Sequence, residues 1–265
     1  MKVEDKRIKT EFRDRICILT LNDPDQLNAM SEQMSAAFRD TVTALGEDKR
    51  VKVLVLTGAG RAFSAGGNLD SIASGYKGEP GIQKKSSFEF YSRFLCVRKL
   101  DIPTIAAVNG HAVGAGACLS LACDMRMAGE GAMFGFPFAR IGLHPGMGAE
   151  FLLQRLVGEA KTFELLMTGA MLGARDAHAM GLVNHVVPDN DLMEKTLALA
   201  GKIVAMPDLP IKMMKESIPA ARHSTLEETL HRQAAYQSIN YMTADFKEGI
   251  DALRERRNPK FLDRY

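Results

Sequence analysis

The chain is expected to fold as an α/β core followed by a helical region, and three features of its 265 residues point there. Short β-branched and leucine-rich runs alternate with helix-period stretches through the first 190 residues. Loops made almost entirely of small residues follow two of those runs. From about residue 191 to residue 265 only helical periodicity remains, separated by prolines and polar turns.

The elements follow in order. RICILTLN (15–22) reads as a strand, and SEQMSAAFRDTVTALGED (31–48) as a helix whose N-cap is Ser31. VKVLVLTG (51–58) returns as a strand and runs into FSAGGN (63–68), four small residues in six positions. SIASGYKGEPGIQKK (71–85) is rich in Gly and Lys and is expected to be a mobile excursion. IPTIAAVNG (102–110) is the next strand, followed by AVGAGACLSLACD, whose small residues suit a helix packed tightly on its own strand. VNHVVP (183–188) is a further short strand. Four helical stretches then complete the chain, LMEKTLALAGKIVAM, LPIKMMKESIPAA, TLEETLHRQAAYQSINYMTA and DFKEGIDALRERR.

Composition narrows the function classes. With 46% apolar and 25% charged residues the chain is an ordinary globular sequence. Lys plus Arg number 34 against 32 Asp plus Glu, a net charge of +2, so no basic field is available to draw nucleic acid or an anionic membrane. Cys17, Cys96, Cys118 and Cys123 form no Cys-x-x-Cys pair, and no His stands at zinc-ligand spacing, so reduced buried thiols and no metal are expected. MKVEDKRIKTEF is charged throughout and no run of eighteen apolar residues occurs, which predicts a soluble cytoplasmic protein.

The two small-residue loops carry the chemistry that the sequence offers. Ala65, Gly66 and Gly67 follow one strand, and Gly114, Ala115 and Gly116 follow another and open a helix. The first N–H groups of a helix lack intrahelical acceptors and carry the positive end of its dipole. Two such loops brought face to face would offer two backbone donors to one developing oxyanion. Taken singly, each is equally a tight turn or a site of close helix packing. Leu119 stands where Gly-x-Gly-x-x-Gly needs its third glycine, and no Gly-Lys-Ser/Thr follows, which removes the dinucleotide and P-loop alternatives.

LNDPDQLNAMS, GRAFSAGGNLD, VNGHAVGAGACLSLACDMRMA, FARIGLHPGMGAEFLLQRLVG, MLGARDAHAMGLVNHVVP and EGIDALRERRNPKF occur in this order. Together they resemble the crotonase superfamily, the enoyl-CoA hydratase/isomerase family, over roughly residues 8 to 262. The resemblance implies a ββα spiral core over 1–190 and a C-terminal helical region, 191–265, that builds a homotrimer or a dimer of trimers. It implies an acyl-CoA substrate, with coenzyme A bound only as part of that substrate and no tightly held cofactor, and chemistry among the lyases and isomerases of fatty acid metabolism.

By the same resemblance the amides of Gly67 and Ala115 match the oxyanion hole that holds the thioester oxygen. Ala29, Ala65, Gly66, Asn68, Leu69, Gly114 and Phe138 match positions around the acyl group, and Lys260 and Phe261 match positions along the CoA path. Asn68 replaces a frequent aspartate and is expected to shape its turn by a side-chain hydrogen bond. Asp25 stands where many relatives carry a base near the CoA phosphates, which shifts that role toward Lys260 or a lysine of YKGEPGIQKK.

Both glutamates of the ordinary hydratases are missing, with Cys118 at the first position and Phe138 at the second. A hydratase needs two carboxylates on one face of the enoyl group to hold and activate water. Their loss favours decarboxylation, isomerisation or C–C hydrolysis. His144, His111 and Glu150 are the replacement proton carriers on offer, each with a structural alternative; Tyr76 belongs to the loop that covers the acyl group, and Cys118 is a nucleophile or a small packing residue. The alternatives are a hydratase using a substitute such as Glu150, and a non-catalytic acyl-CoA binding subunit.

Overall fold

The structure of the chain, a computed structural model, describes residues 6–74 and 78–262. Its first hairpin pairs β1 (Ile8–Arg13) antiparallel with β2 (Ile16–Leu21) across a two-residue turn in which Asp14 takes a left-handed φ of 51°. β1 escapes the hydropathy pattern because only Ile8 is buried and Phe12 is exposed; the charged side chains of Lys9, Glu11 and Arg13 protect this sheet edge. Helix α1 (Glu32–Glu47) begins as expected, with the Ser31 side chain accepting the Met34 N–H.

From β3 the chain winds regularly. Three times it lays one strand in a large sheet and the next in a small one: β3 (Val53–Gly58) then β4 (Ala62–Ser64), β5 (Thr104–Val108) then β6 (His111–Val113), β7 (Met125–Gly129) then β8 (Met133–Gly135). Helices α2 (Leu69–Ser74) and α3 (Pro80–Leu95) separate the first two turns, and α4 (Ala115–Ala122) the second and third. After α5 (Ala149–Thr168), β9 (Met171–Gly173) joins the small sheet, and after α6 (Ala174–Ala179), β10 (His185–Val187) joins the large one. The strand orders are β1-β2-β3-β5-β7-β10 and β4-β6-β8-β9, parallel except at β1–β2 and β8–β9.

Parallel strands buried on both faces read as continuous apolar runs, and β3 shows why. Leu54 and Leu56 enter the main core with Phe38, Phe63, Phe94 and Leu119, while Val53 and Val55 point the other way, to a second core with Ile105 and Met127. That second face is covered by α7 (Leu192–Val204) through Leu192 and Ala200. Helices α8 (Asp208–Ala221) and α9 (Leu226–Asn240) bury no residue, and α10 (Ala244–Glu255) buries only Asp245 and Ala252. The helical character expected beyond residue 190 is present. No helix among the described residues is long and apolar enough to cross a membrane.

One expectation needs correction. Residues 80–85 do not belong to a loop excursion: they are the start of the 16-residue α3, with Pro80 in its first turn, where its fixed φ favours a helix start. The Gly-Pro-Gly composition pointed to a loop; the aromatic stripe Phe90, Tyr91 and Phe94, packed on the core, decides for helix. Lys84 and Lys85 lie exposed on that helix. Tyr76 lies outside the described residues.

Candidate active site

Loop 64–68 is held from beneath by Asn28, which is fully buried at a left-handed φ of 55°. Its amide donates to the carbonyls of Ala59 and Ala62, both at 2.8 Å, and accepts the Asp23 N–H at 2.9 Å. The Asn28 carbonyl takes the Ser64 hydroxyl at 2.8 Å, and Ser64 Oγ accepts the Gly66 N–H at 3.1 Å. These bonds fix where the backbone leaves β4. Neither Asn28 nor Ser64 stood out in the sequence, although the Asn in LNAMS carried the signal of a polar residue amid apolar ones.

The next residues meet Met30 edge to edge. Met30 N donates to Gly66 O at 2.7 Å, and Asn68 N donates to Met30 O at 3.3 Å, a parallel bridge centred on Gly67. Such a bridge uses the groups flanking the central residue and turns that residue's own N–H to the opposite side. The Gly67 N–H is accordingly left without a partner among the described residues. Asn68 Oδ1 accepts the Ser71 N–H at 3.0 Å and shapes the turn into α2. Ala29 is partly buried beside the bridge, while Ala65 and Leu69 are exposed.

The second loop arrives at the same place. A Cβ added to Gly66, whose φ is +92°, would lie 2.4 Å from Val113 O and 3.3 Å from Ala115 N. The two loops are therefore in direct backbone contact. Gly114 takes φ 52° and ψ −117°, a mirror-image conformation open to glycine, and α4 starts at Ala115. A Cβ on Gly116 would sit 2.6 Å from Ser64 O and 2.7 Å from Ser64 Cβ, so α4 packs directly on the backbone and the small side chain of Ser64 in β4. The Ala115 N–H, first of the helix, has no acceptor among the described residues. Two unpaired amides thus lie on touching loops, the corner of the fold, with the positive end of a fully buried helix behind one of them, and donors of this kind are the sort that stabilise a developing anion.

The chain belongs to the enoyl-CoA hydratase/isomerase family. The family model of that description matches residues 11–264. The chain is 34% identical to the 1,2-epoxyphenylacetyl-CoA isomerase of Escherichia coli strain K12, covering 93% of this chain and 94% of that one. It is 30% identical to the crotonyl-CoA hydratase of Syntrophomonas wolfei, covering 98% and 99% respectively. Among solved structures, enoyl-CoA hydratase subunit I from Geobacillus kaustophilus HTA426 superimposes with a TM-score of 0.91 at 36% identity, over 99% of this chain and 100% of the other. The α/β core with C-terminal helices is thus the crotonase fold.

Within this family frame, the positions of the two missing glutamates lie beside the corner. Cys118 follows Ala115 by one helical turn, its N–H bonded to Gly114 O at 3.0 Å. It is wholly buried, burial pushes its thiol far up, and its Sγ points at Gly146 O, 3.8 Å away. That is the environment of a packing thiol, since the thiolate is the nucleophile. The Phe138 ring lies 3.9 Å from where a Gly114 Cβ would be.

The remaining candidates spread out. His144 Nε2 and Glu150 Oε1 pair with each other at 3.2 Å, and both side chains are more than half exposed. His111 is exposed at the start of β6, paired through its backbone with Ala62, at the opposite end of that strand from Gly114. Lys260 N donates to Glu248 Oε1 at 2.6 Å and Phe261 packs near Gly249, so both have their partners on α10. A cavity of about 730 Å³ lies away from the corner, between the C-terminal end of α4, α5 and α8, where the Arg155 guanidinium stacks 3.3 Å above the Phe151 ring.

Proposed function

We propose that the chain is an acyl-CoA enzyme that binds a thioester carbonyl between the N–H groups of Gly67 and Ala115 and stabilises the enolate formed from it. The observation that carries this is the pair of unpaired amides on loops in contact at Gly66. In a water-poor corner such donors act on charge as it develops, and loss of one typically costs about 10²–10³ in kcat. Phe138 and Gly114 would line the acyl group, with Ala29, Ala65, Gly66, Asn68 and Leu69 around it; Lys260 and Phe261 would hold the CoA end. No tightly bound cofactor is invoked.

With Cys118 and Phe138 in place of carboxylates, we favour decarboxylation, isomerisation or C–C hydrolysis over water addition, because a substrate that expels its own carboxylate needs no protein base. The His144–Glu150 pair supports a second reading, hydration with a substitute acid/base, in line with the hydratase names among the relatives. In both readings the protein is a cytoplasmic homotrimer or dimer of trimers.

The deciding experiment follows deuterium entry from D₂O at the α-carbon of saturated, enoyl and malonyl-type CoA thioesters, alongside hydration of crotonyl-CoA. Exchange or decarboxylation with negligible hydration supports the first reading. Rapid hydration that is abolished by Glu150→Gln establishes the second. Tight CoA binding with no turnover on any thioester leaves a binding subunit.

A further inference from the structure

Tyr91, on α3, lies against Gly146, whose carbonyl faces α4 at Cys118, and this neighbourhood was not visible in the sequence. A Cβ on Gly146 would lie 2.6 Å from the Tyr91 hydroxyl and 2.9 Å from its Cζ, so the tip of the phenol rests directly on the Gly146 backbone. The carbonyl of that same Gly146 faces the Cys118 thiol at 3.8 Å, and Cys118 is one turn from Ala115. Tyr91, Gly146, Cys118 and the Ala115 N–H are therefore consecutive neighbours. The ring is held edge-on by Phe90, with centroids 6.2 Å apart at 73°, and Phe90 packs in turn on Phe94. The side chain is only partly buried, and its hydroxyl has no hydrogen-bond partner among the described residues.

We propose that the Tyr91 hydroxyl is the proton donor to the α-carbon of the thioester enolate, working beside Cys118 where the family's first glutamate would stand. The proposal rests on the enolate reading above. A phenol O–H can donate to a carbanion, and the phenolate it leaves can take a proton back. For a 2-carboxyacyl thioester the steps balance as follows. The bond from Cα to the carboxylate breaks, carbon dioxide leaves, and the electron pair passes to the thioester as an enolate whose oxygen the two amides hold. That pair then takes the hydroxyl proton: a C–H bond forms, the O–H bond breaks, and the charge moves to the phenolate. The phenolate recovers a proton from water, which the partial exposure of the side chain permits.

The test uses Tyr91→Phe, which keeps the ring and its stacking and removes only the hydroxyl, with Ala115→Pro as the companion variant. The probes are a malonyl-type CoA thioester, whose product is read for deuterium at Cα, and a saturated thioester read for exchange. Tyr91→Phe is expected to bind CoA thioester as the parent does, to melt at the same temperature, and to lose about 10²–10⁴-fold in the rate of deuterium delivery. Delivery at the parental rate by Tyr91→Phe, while Ala115→Pro has lost it, overturns the Tyr91 assignment and leaves the enolate reading standing. A parent protein that neither decarboxylates nor exchanges overturns both.

Discussion

Gly66 and Val113 approach so closely that no side chain fits between them: a Cβ on Gly66 would stand 2.4 Å from the Val113 carbonyl oxygen. Backbone lines both sides, and the glycine's φ of +92° is itself closed to L side chains. Gly66→Ala is therefore expected to push the two loops apart, to cost on the order of 2–3 kcal/mol, and to lower turnover at least a hundredfold. Gly201→Ala on α7 is the control, because its Cβ would meet nothing within 4 Å. Steady-state kinetics and thermal melts of the two variants separate the effects; equal behaviour would mean that the loop contact does not set the site.

How far the sequence reaches is clear from these loops. β2, β3, β5 and β10, Ser31 as a cap and the small-residue stretches were legible because each depends on local chemistry: β-branched runs, a hydroxyl at a helix start, absent side chains; β7 and the three-residue strands of the small sheet were not. β1 was hidden because an edge strand with one buried residue has no apolar alternation. α3 was hidden by the glycines around Pro80, since a helix interior cannot be told from a loop before its aromatic face finds the core. Tyr91 was invisible for a different reason. Its meeting with Gly146 joins residues 55 positions apart, and nothing in either stretch announces the other.

Asn28 supplies a second prediction. Asn28→Ala would leave the Ala59 carbonyl and the Asp23 N–H without these partners and the Ala62 carbonyl with only the long 3.5 Å bond from Asn109. At about 1–3 kcal/mol for a buried orphaned group, partly relieved by water at the exposed end, the loss is expected to be roughly 2–4 kcal/mol. That corresponds to a melting temperature lower by about 4–7 °C for a chain of this size. A thermal melt checks it, and an unchanged midpoint would show that the loop is held elsewhere.

The buried thiols predict alkaline sensitivity. Burial pushes Cys123 up to about 12 and Cys118 further still. In the unfolded chain both titrate near pH ~8.5. The native state therefore holds protons that the unfolded chain releases, so this stabilisation is complete below pH ~8.5 and is lost progressively as pH rises toward 12, with a limiting slope near 1.4 kcal/mol per pH unit for each thiol. Stability measured by urea unfolding is expected to fall steeply above pH ~9, and Cys123→Ala to flatten that fall. A parental curve that stays level to pH 11 would contradict it.

The helical quarter predicts association. α8 and α9 bury no residue, yet Met214, Ile218, Leu226, Leu230 and Ile239 are exposed on them, joined by Phe163 and Met167 on α5. Apolar surface of this extent is unusual on a monomer. Sedimentation at micromolar concentration is expected to give a trimer or hexamer, and Leu230→Asp to shift it toward smaller species. A parent chain that sediments as a monomer would remove the assembly from the proposed function.

Ala115 permits the most selective test of the corner, because its place in the fold separates the amide from everything around it. It is the first residue of α4, a position where proline is tolerated since the N–H has no helical acceptor and the fixed φ already suits a helix. The residue before it is a glycine, free of the Cβ clash that proline imposes on its predecessor. Ala115→Pro thus deletes one donor and nothing else that the helix needs. Removal of one oxyanion donor, with the proline Cδ standing where its hydrogen pointed, is expected to lower kcat by about 10²–10³ and to raise KM for the thioester, with the melting temperature nearly unchanged. This split distinguishes charge stabilisation from packing: a substitution that merely disturbed α4, all eight residues of which are buried, would lower the melting temperature together with the rate. Turnover equal to that of the parent would show that the Ala115 N–H does not face the developing charge, and the oxyanion would then have to be sought along another edge of the same loops.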